Sequence, residues 1–480
     1  MELRLEVDGE AVVVDRVNPH VTLLEWLRAS GRTGTKEGCA EGECGACAVA
    51  VIARDARGRL ALEPVNSCLV PLLDLIGHSV VTAEGVAARS RGLHPVQEAM
   101  VVEGGSQCGY CTPGFVVSLF CEYYRSERKG YDPESIGGNL CRCTGYRPIV
   151  AAARSMPMPA ADDDWLQAIQ RSGPVVEAFE EGDGQRRFVR PTSLRGVFEA
   201  LATFPGATLI AGGTDLMVAA NQRFVRWPTL IALDAVPELR RIEASDRELT
   251  VGAAVPLSHL EQLEQMGEGP GHAEDGPSHH ALLHQLLPLF SSRLIRNRAT
   301  LGGNLATASP IGDSSPVLLA LEAQLTLTGA QGSRRVPLRD FFVGYRKTAL
   351  GVGELIEAIH IPLPLPRQQR FYKISKRVLD DISAVAGAFA LTLDPAGRVE
   401  DLRIAYGGIA ATPLRATSVE DAALGKPWTR ETLAVLLETL KQVGTPLSDH
   451  RGSAAYRTAM KSNLLERFFV ETQGTEGVVA

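Results

Sequence analysis

Gly38-Cys39-Ala40-Glu41-Gly42-Glu43-Cys44-Gly45-Ala46-Cys47 carries the clearest structural signal in the chain. Its cysteines stand as C-x4-C-x2-C, and Cys68 follows at a distance. Four thiolates in that plant-type order suit a [2Fe–2S] cluster. Such a site needs sulfur ligands converging from a loop, with backbone N–H groups turned toward the sulfides. Gly38, Gly42 and Gly45 permit the tight turns and close approach this requires. Zinc is the rival occupant, but zinc knuckles favour paired C-x2-C units, and this set holds one.

A second set lies downstream, in Gln107-Cys108-Gly109-Tyr110-Cys111-Thr112-Pro113-Gly114 and Asn139-Leu140-Cys141-Arg142-Cys143-Thr144-Gly145-Tyr146-Arg147-Pro148. C-x2-C followed by C-x-C supplies four more thiolates, and spacing alone leaves cluster and zinc both open. Cys121 is left over; it falls in a helical pattern and is expected to be a small buried residue. All nine cysteines lie between Cys39 and Cys143. A disulfide framework would not stop there, so metal binding is the natural reading.

Composition bounds the rest. A chain of 480 residues suggests about three domains at ~150 residues each. With 45% apolar and 22% charged residues it can bury ordinary globular cores. Lys+Arg 49 against Asp+Glu 56 gives −7, a poor match for nucleic acid or an anionic membrane. The N-terminus alternates apolar and charged residues with no signal-like apolar core. No stretch reaches the ~18 apolar residues of a membrane span. A cytoplasmic location is expected, where thiols stay reduced.

The pattern also places elements. Leu3–Val7 and Glu10–Val14 alternate about Asp8-Gly9, which predicts a hairpin. Thr22 is an N-cap for a helix through Arg28, with Gly31 beyond its end. Ala48–Ala53 reads as a strand. Pro95–Glu103 and Thr112–Arg128 read as helices, and a short helix starts at Pro133. Residues 156–185 read as a surface linker with a short helix near Trp165–Arg171. Pro362-Leu363-Pro364-Leu365-Pro366 marks a further boundary.

Both cysteine sets, with the strings QCGYCTPG and NLCRCTGYRPI, resemble the iron–sulfur domain of the molybdenum hydroxylases. The resemblance implies two [2Fe–2S] clusters. One belongs to a ferredoxin-like β-grasp domain over residues 1–78, with Cys39, Cys44, Cys47 and Cys68 as ligands. The other belongs to a four-helix domain over residues 79–155, with Cys108, Cys111, Cys141 and Cys143. It further implies that Gln107, and more weakly Cys143, faces the molybdopterin of a partner.

No G-x-G-x-x-G after a strand and no phosphate-loop lysine motif is present. Two glycine turns remain: Leu209-Ile210-Ala211-Gly212-Gly213-Thr214-Asp215-Leu216 and Thr300-Leu301-Gly302-Gly303-Asn304. Taken alone, either is more often a plain turn than an anion cradle. In this order they resemble the flavin domain of the same family, over about residues 186–475. The resemblance implies FAD, with its pyrophosphate on those turns. It places Asp215, Thr300 and Asp313 at flavin contacts, Phe290 and Ile356 against the ring, and Lys373 at a cofactor contact. The alternative for Phe290 is a core residue ending the apolar run Leu286–Leu289. The whole fold is then α+β and multidomain. It adds a two-part α+β FAD-binding domain at 186–365 and a C-terminal α/β subdomain at 366–480.

The family's molybdenum part needs several hundred further residues, so the resemblance assigns it to a partner. The chain resembles the iron–sulfur/FAD subunit of a split xanthine dehydrogenase. That implies a molybdenum-binding large subunit oxidising xanthine or hypoxanthine, and a heterotetramer of two such pairs. Electrons would pass to the Cys108 set, to the Cys39 set, to FAD and then to NAD+. Service to an aldehyde or N-heterocycle hydroxylase, and a non-enzymatic zinc protein, are the alternatives. No side chain is needed as a catalytic acid, base or nucleophile. His272, His279, His280 and His284 read as a surface loop lacking a third metal ligand. Ser333-Arg334-Arg335 reads as a solvated turn, and 448–469 as an amphipathic segment packed on its own domain.

Overall fold

The computed structural model describes residues 2–15, 17–126, 128–265 and 281–473. His272, His279 and His280 lie outside them; His284 is exposed on the helix Ala281–Leu286. Two compact units form. The first holds residues 1–238, 256–259 and 291–300; the second holds 239–255, 260–290 and 301–480.

The first unit opens with the hairpin β1 (Leu3–Val7) and β2 (Glu10–Val14), paired Val7 to Glu10. Asp8 and Gly9 both take positive φ, 54° and 89°. That is the two-residue turn whose twist matches the strands. β3 (Ala48–Arg54), β4 (Leu60–Asn66) and β5 (Ser79–Val81) complete a five-stranded sheet, order β2-β1-β5-β3-β4. β1 and β5 run parallel, and the other pairs antiparallel. Helix α1 (Leu23–Ala29) begins in a capping box: Thr22 Oγ1 accepts from Glu25 N, and Thr22 N donates to Glu25 Oε2.

Four helices follow: α2 (Pro95–Val102), α3 (Thr112–Tyr123), α4 (Arg147–Ser155) and α5 (Asp164–Arg171). Residues 114–123 of α3 are all buried, Cys121 among them. α3 ends five residues before Arg128. The buried Arg128 guanidinium instead donates to the carbonyls of Met156 and Pro157. The stretch expected to be a surface linker is partly core. Trp165, Ala168 and Ile169 of α5 are buried with α3, and Trp165 Nε1 donates to Val86 O. The apolar face of this short amphipathic helix is what pulls it in. Phe179–Gly182 then edges a mixed four-stranded sheet with Arg187–Arg190, Thr229–Ala232 and Thr208–Ile210.

Among its described residues the second unit carries two larger antiparallel sheets and a two-stranded one, Phe342–Gly344 with Lys347–Thr348. In one, Leu355–Pro362 is central, flanked by Glu248–Gly252 and Gln324–Gly329. Gly332–Pro337 is its edge strand, so Ser333-Arg334-Arg335 is sheet and not turn; Arg334 pairs with Glu354 and Arg335 with Glu248. The other larger sheet runs Gln368–Ile374, Val385–Leu393, Val399–Gly407 and Leu414–Arg415. The terminal helix Ala454–Thr472 buries Leu464, Leu465, Phe468 and Phe469 in the core beneath it. Among the described residues no helix is long and apolar enough to cross a membrane.

Buried histidines give the first unit an acid-sensitive core. His94 Nδ1 accepts from Val96 N, so the ring must be neutral, and Nε2 meets Tyr124 OH at 2.9 Å. Tyr124 OH in turn donates to Asp163, the N-cap of α5. Burial pushes His94 down to about 4, and likewise His20 and His78. A histidine with a lowered native pKa stabilises the fold above the unfolded value of ~6.5, and this is lost as pH falls toward 4. Denaturant midpoints should therefore fall between pH 6.5 and 4. His94→Gln, followed by fluorescence of Trp165, should show a shallower fall; an unchanged slope would clear His94 of the effect.

Candidate electron-transfer centres

Loops and strand ends aim the first cysteine set. Cys39 and Cys44 lie on the loop between α1 and β3, Cys47 immediately precedes β3, and Cys68 lies just past β4. The thiols stand as two pairs. Cys47 Sγ lies 3.4 Å from Cys68 Sγ, both buried. Cys39 and Cys44 share a hydrogen bond, which holds Cys39 down to about 5 and pushes Cys44 up. Backbone N–H groups of Glu41, Glu43 and Cys44 also point at the Cys39 sulfur. Two thiol pairs with amides facing sulfur fit a [2Fe–2S] cluster, which Cys39, Cys44, Cys47 and Cys68 would hold.

The loop is braced from three sides. Asn66 Nδ2 donates to Gly42 O at 2.8 Å. Asn139 Nδ2 donates to Gly45 O at 3.1 Å, and Leu140 N to Cys44 O at 3.0 Å. Asn221 Nδ2 donates to Ala40 O and Cys68 O, and Gln222 Nε2 to Cys39 O. None of these amide side chains stands out in the sequence by composition or period. Only Asn139 falls inside a cysteine motif.

The second set is also paired. Cys108 shares a hydrogen bond with Cys143, and Cys111 with Cys141. Cys111 caps α3, whose buried body fixes its direction, and Thr144 bonds Cys141 through both N–H and hydroxyl. Cys108 and Cys143 are exposed, and so is Gln107 beside them. The two cysteine loops touch: Tyr110 OH donates to Glu37 O, and a side chain at Gly114 would collide with Gly45 O.

In the first unit, Leu209 and Ile210 end a strand and lead through Ala211 into the Gly212-Gly213 turn. Gly212 has no room for a Cβ, because the Arg298 carbonyl fills that space. Gly213 has φ +76°, and Met217 N bonds its carbonyl to start the helix Leu216–Gln222. Asp215 is exposed and Thr214 half-buried, whereas Thr300 is buried. Arg298 pairs with the buried Asp74 at 2.5 Å, pinning the strap behind the turn.

In the second unit, Leu301–Thr307 is a helix on which Gly302 packs against Ala253, leaving Gly303 exposed. Asn304 accepts from Ser314 Oγ. Asp313 is held by Lys373 Nζ at 2.9 Å and by Ser383 Oγ at 2.5 Å. Lys373 also donates to Leu289 O, beside the half-buried Phe290. The resemblance names Asp313 and Lys373 separately; here they are one ion pair, and Ser383, from the stretch Asp380-Asp381-Ile382-Ser383 that also resembles the family's flavin side, joins them. Ile356 is buried in the central strand opposite Leu327.

Comparison with known proteins assigns domains along the chain. Residues 5–73 match the 2Fe-2S iron-sulfur cluster binding domain, and 82–154 the [2Fe-2S] binding domain. Residues 179–364 match the FAD binding domain in molybdopterin dehydrogenase, and 370–472 the CO dehydrogenase flavoprotein C-terminal domain. The chain belongs to the molybdenum hydroxylase family. It is an iron–sulfur and FAD chain with two [2Fe–2S] domains, and it serves electron transfer. Xanthine dehydrogenase 1 of Arabidopsis thaliana is 32% identical over 98% of this chain, and xanthine dehydrogenase of Emericella nidulans 32% over 97%. The chain spans 39% and 38% of their lengths. A carbon monoxide dehydrogenase structure from Hydrogenophaga pseudoflava is 28% identical, with TM-score 0.53 over 58% of this chain and 94% of that one. Quinoline 2-oxidoreductase from Pseudomonas putida 86 is 29% identical, with TM-score 0.53 over 59% and 94%.

Two [2Fe–2S] clusters and one FAD set the expected content of the purified chain: about four iron and four acid-labile sulfide per flavin. Iron, sulfide, zinc and released flavin measured on one sample check this. Zinc in place of iron, in protein made with iron available, would contradict it.

Proposed function

We propose that this chain carries electrons from purine oxidation on a molybdenum-binding partner to NAD+, as the small subunit of a xanthine dehydrogenase. The observation that carries the reading is the extent of similarity: relatives named xanthine dehydrogenase align over 98% of the chain, clusters and flavin together. The carbon monoxide and quinoline enzyme chains cover under two thirds of it. Cys39, Cys44, Cys47 and Cys68 hold one cluster on this reading, and Cys108, Cys111, Cys141 and Cys143 the other. Bound, the clusters pass single electrons, and FAD connects them to a two-electron acceptor.

The residues of this chain then have distinct work. The exposed Cys108–Cys143 edge, with Gln107, faces the molybdopterin partner. The Tyr110–Glu37 and Asn139–Gly45 bonds hold the two cysteine loops together, in keeping with transfer from the second set to the first. The helix Leu216–Gln222 links the first set to the Gly212-Gly213 turn, in keeping with onward transfer to flavin. In the first unit, Thr214 and Asp215 offer accessible contacts for FAD, while Gly212 lets the backbone pack behind them.

Co-expression with its molybdenum-binding partner tests the reading. Xanthine should drive NADH formation, followed by its near-ultraviolet absorbance; turnover of quinoline or an aldehyde but not xanthine would refute the purine assignment. Cys44→Ser should remove one cluster and abolish NADH formation, with the Cys108 cluster still reduced by xanthine. Full NADH production by that variant would sink the electron order. Gly212→Ala should lower bound flavin at least about tenfold at unchanged iron, since the added methyl displaces the Arg298 backbone. Full flavin content would argue against that turn as the FAD cradle.

A further inference from the structure

We propose that Asn221, seconded by Gln222, is a positioning residue that sets the reduction potential of the Cys39/Cys44/Cys47/Cys68 cluster. The inference rests on reading those four cysteines as cluster ligands. It starts from a single peptide unit. The Ala40–Glu41 peptide presents its N–H to Cys39 Sγ at 3.5 Å, and its carbonyl accepts from Asn221 Nδ2 at 3.0 Å. One end of the peptide faces the ligand sulfur; the other is clamped by the amide.

Ala40 itself sits at φ +56°, a conformation that a residue with a Cβ holds only when its surroundings enforce it. The same Asn221 amide reaches Cys68 O at 2.8 Å, and Gln222 Nε2 reaches Cys39 O at 2.8 Å. Three carbonyls along the ligand-bearing backbone are thus turned to one helix end. A peptide whose carbonyl is tied away from the cluster keeps its N–H toward it. An N–H directed at a ligand sulfur stabilises the extra negative charge of the reduced cluster and so raises its potential. Asn221 touches no sulfur; it acts through the peptide it orients.

The helix gives this clamp its second property. Its first turn is started by Met217 N on Gly213 O, and its last residues grip the cluster loop. One helix of seven residues thus joins the Gly212-Gly213 turn to the cluster loop.

The test is redox titration of the complete chain, read by the EPR signal of each cluster separately. Asn221→Leu keeps the side-chain shape and removes the donor. It should lower the potential of the Cys39 cluster so that the reduced-to-oxidised ratio at a fixed potential falls about tenfold, which is ~59 mV for one electron. The g-values of that cluster should change, and those of the Cys108 cluster should not. Unchanged potential and g-values at full iron content would overturn the proposal, as would equal shifts in both clusters. Should Asn221→Leu lose iron, Gln222→Met carries the test, because its exposed side chain holds Cys39 O alone. A smaller shift confined to the same cluster supports the proposal, and an unmoved potential overturns it. A wild-type chain without this cluster's signal refutes the ligand reading instead.

Discussion

The loop Gly38–Cys47 has to present sulfurs and amide N–H groups inward, and this leaves its carbonyls pointing outward. Outward carbonyls that are shielded from water need donors. Asn66, Asn139 and Asn221 each supply one from a different part of the first unit. The loop thereby becomes the point on which the ferredoxin-like sheet, the helical domain and the helix after Gly212-Gly213 all converge. Neutral amides suit this role. A lysine or arginine there would place a full charge beside a redox centre, and a carboxylate would repel the carbonyls.

The strap 291–300 is the second constraint. Arg293 pairs with Asp132 and Glu134, and Arg296 with Glu134, all in the helical region. Asn297 donates to Pro64 O at the end of β4, and Arg298 pairs with Asp74. Arg296 and Asp74 have no exposed side-chain surface, so removing either partner would strand a buried charge. Four polar residues within six positions explain why this strap packs with the iron–sulfur portion, although it precedes the Gly302-Gly303 segment directly.

What could be read in the sequence followed short-range rules. The Asp8-Gly9 hairpin, the Thr22 cap and the buried Cys121 each depend on residues a few positions apart, or on plain apolarity. The cysteine sets are legible because ligand spacing reflects loop geometry. The end of α3, the burial of Trp165 and the sheet placement of Arg334 depend on distant partners: Met156, Val86 and Glu354. The Asp313–Lys373 pair likewise spans sixty positions of chain, and only family resemblance named its members. Asn221 shows the limit most clearly. An asparagine late in a helix carries no local signal, and its meaning lies in carbonyls at positions 40 and 68.

Exposure orders the centres in a way that suits directional traffic. Cys108 and Cys143 are open to solvent, whereas Cys47 and Cys68 are buried. On the proposed reading, the first acceptor must meet a partner protein, and an exposed sulfur edge shortens that gap. The second must give up electrons only toward flavin, and burial keeps oxidants in solution from intercepting them. Burial alone disfavours the more negative, reduced state. Amide N–H groups turned to Cys39 oppose that penalty without adding net charge. Backbone N–H groups point at Cys108, Cys141 and Cys143 as well, so both sets use peptide dipoles, while the side-chain amides that hold carbonyls gather around the first cysteine loop.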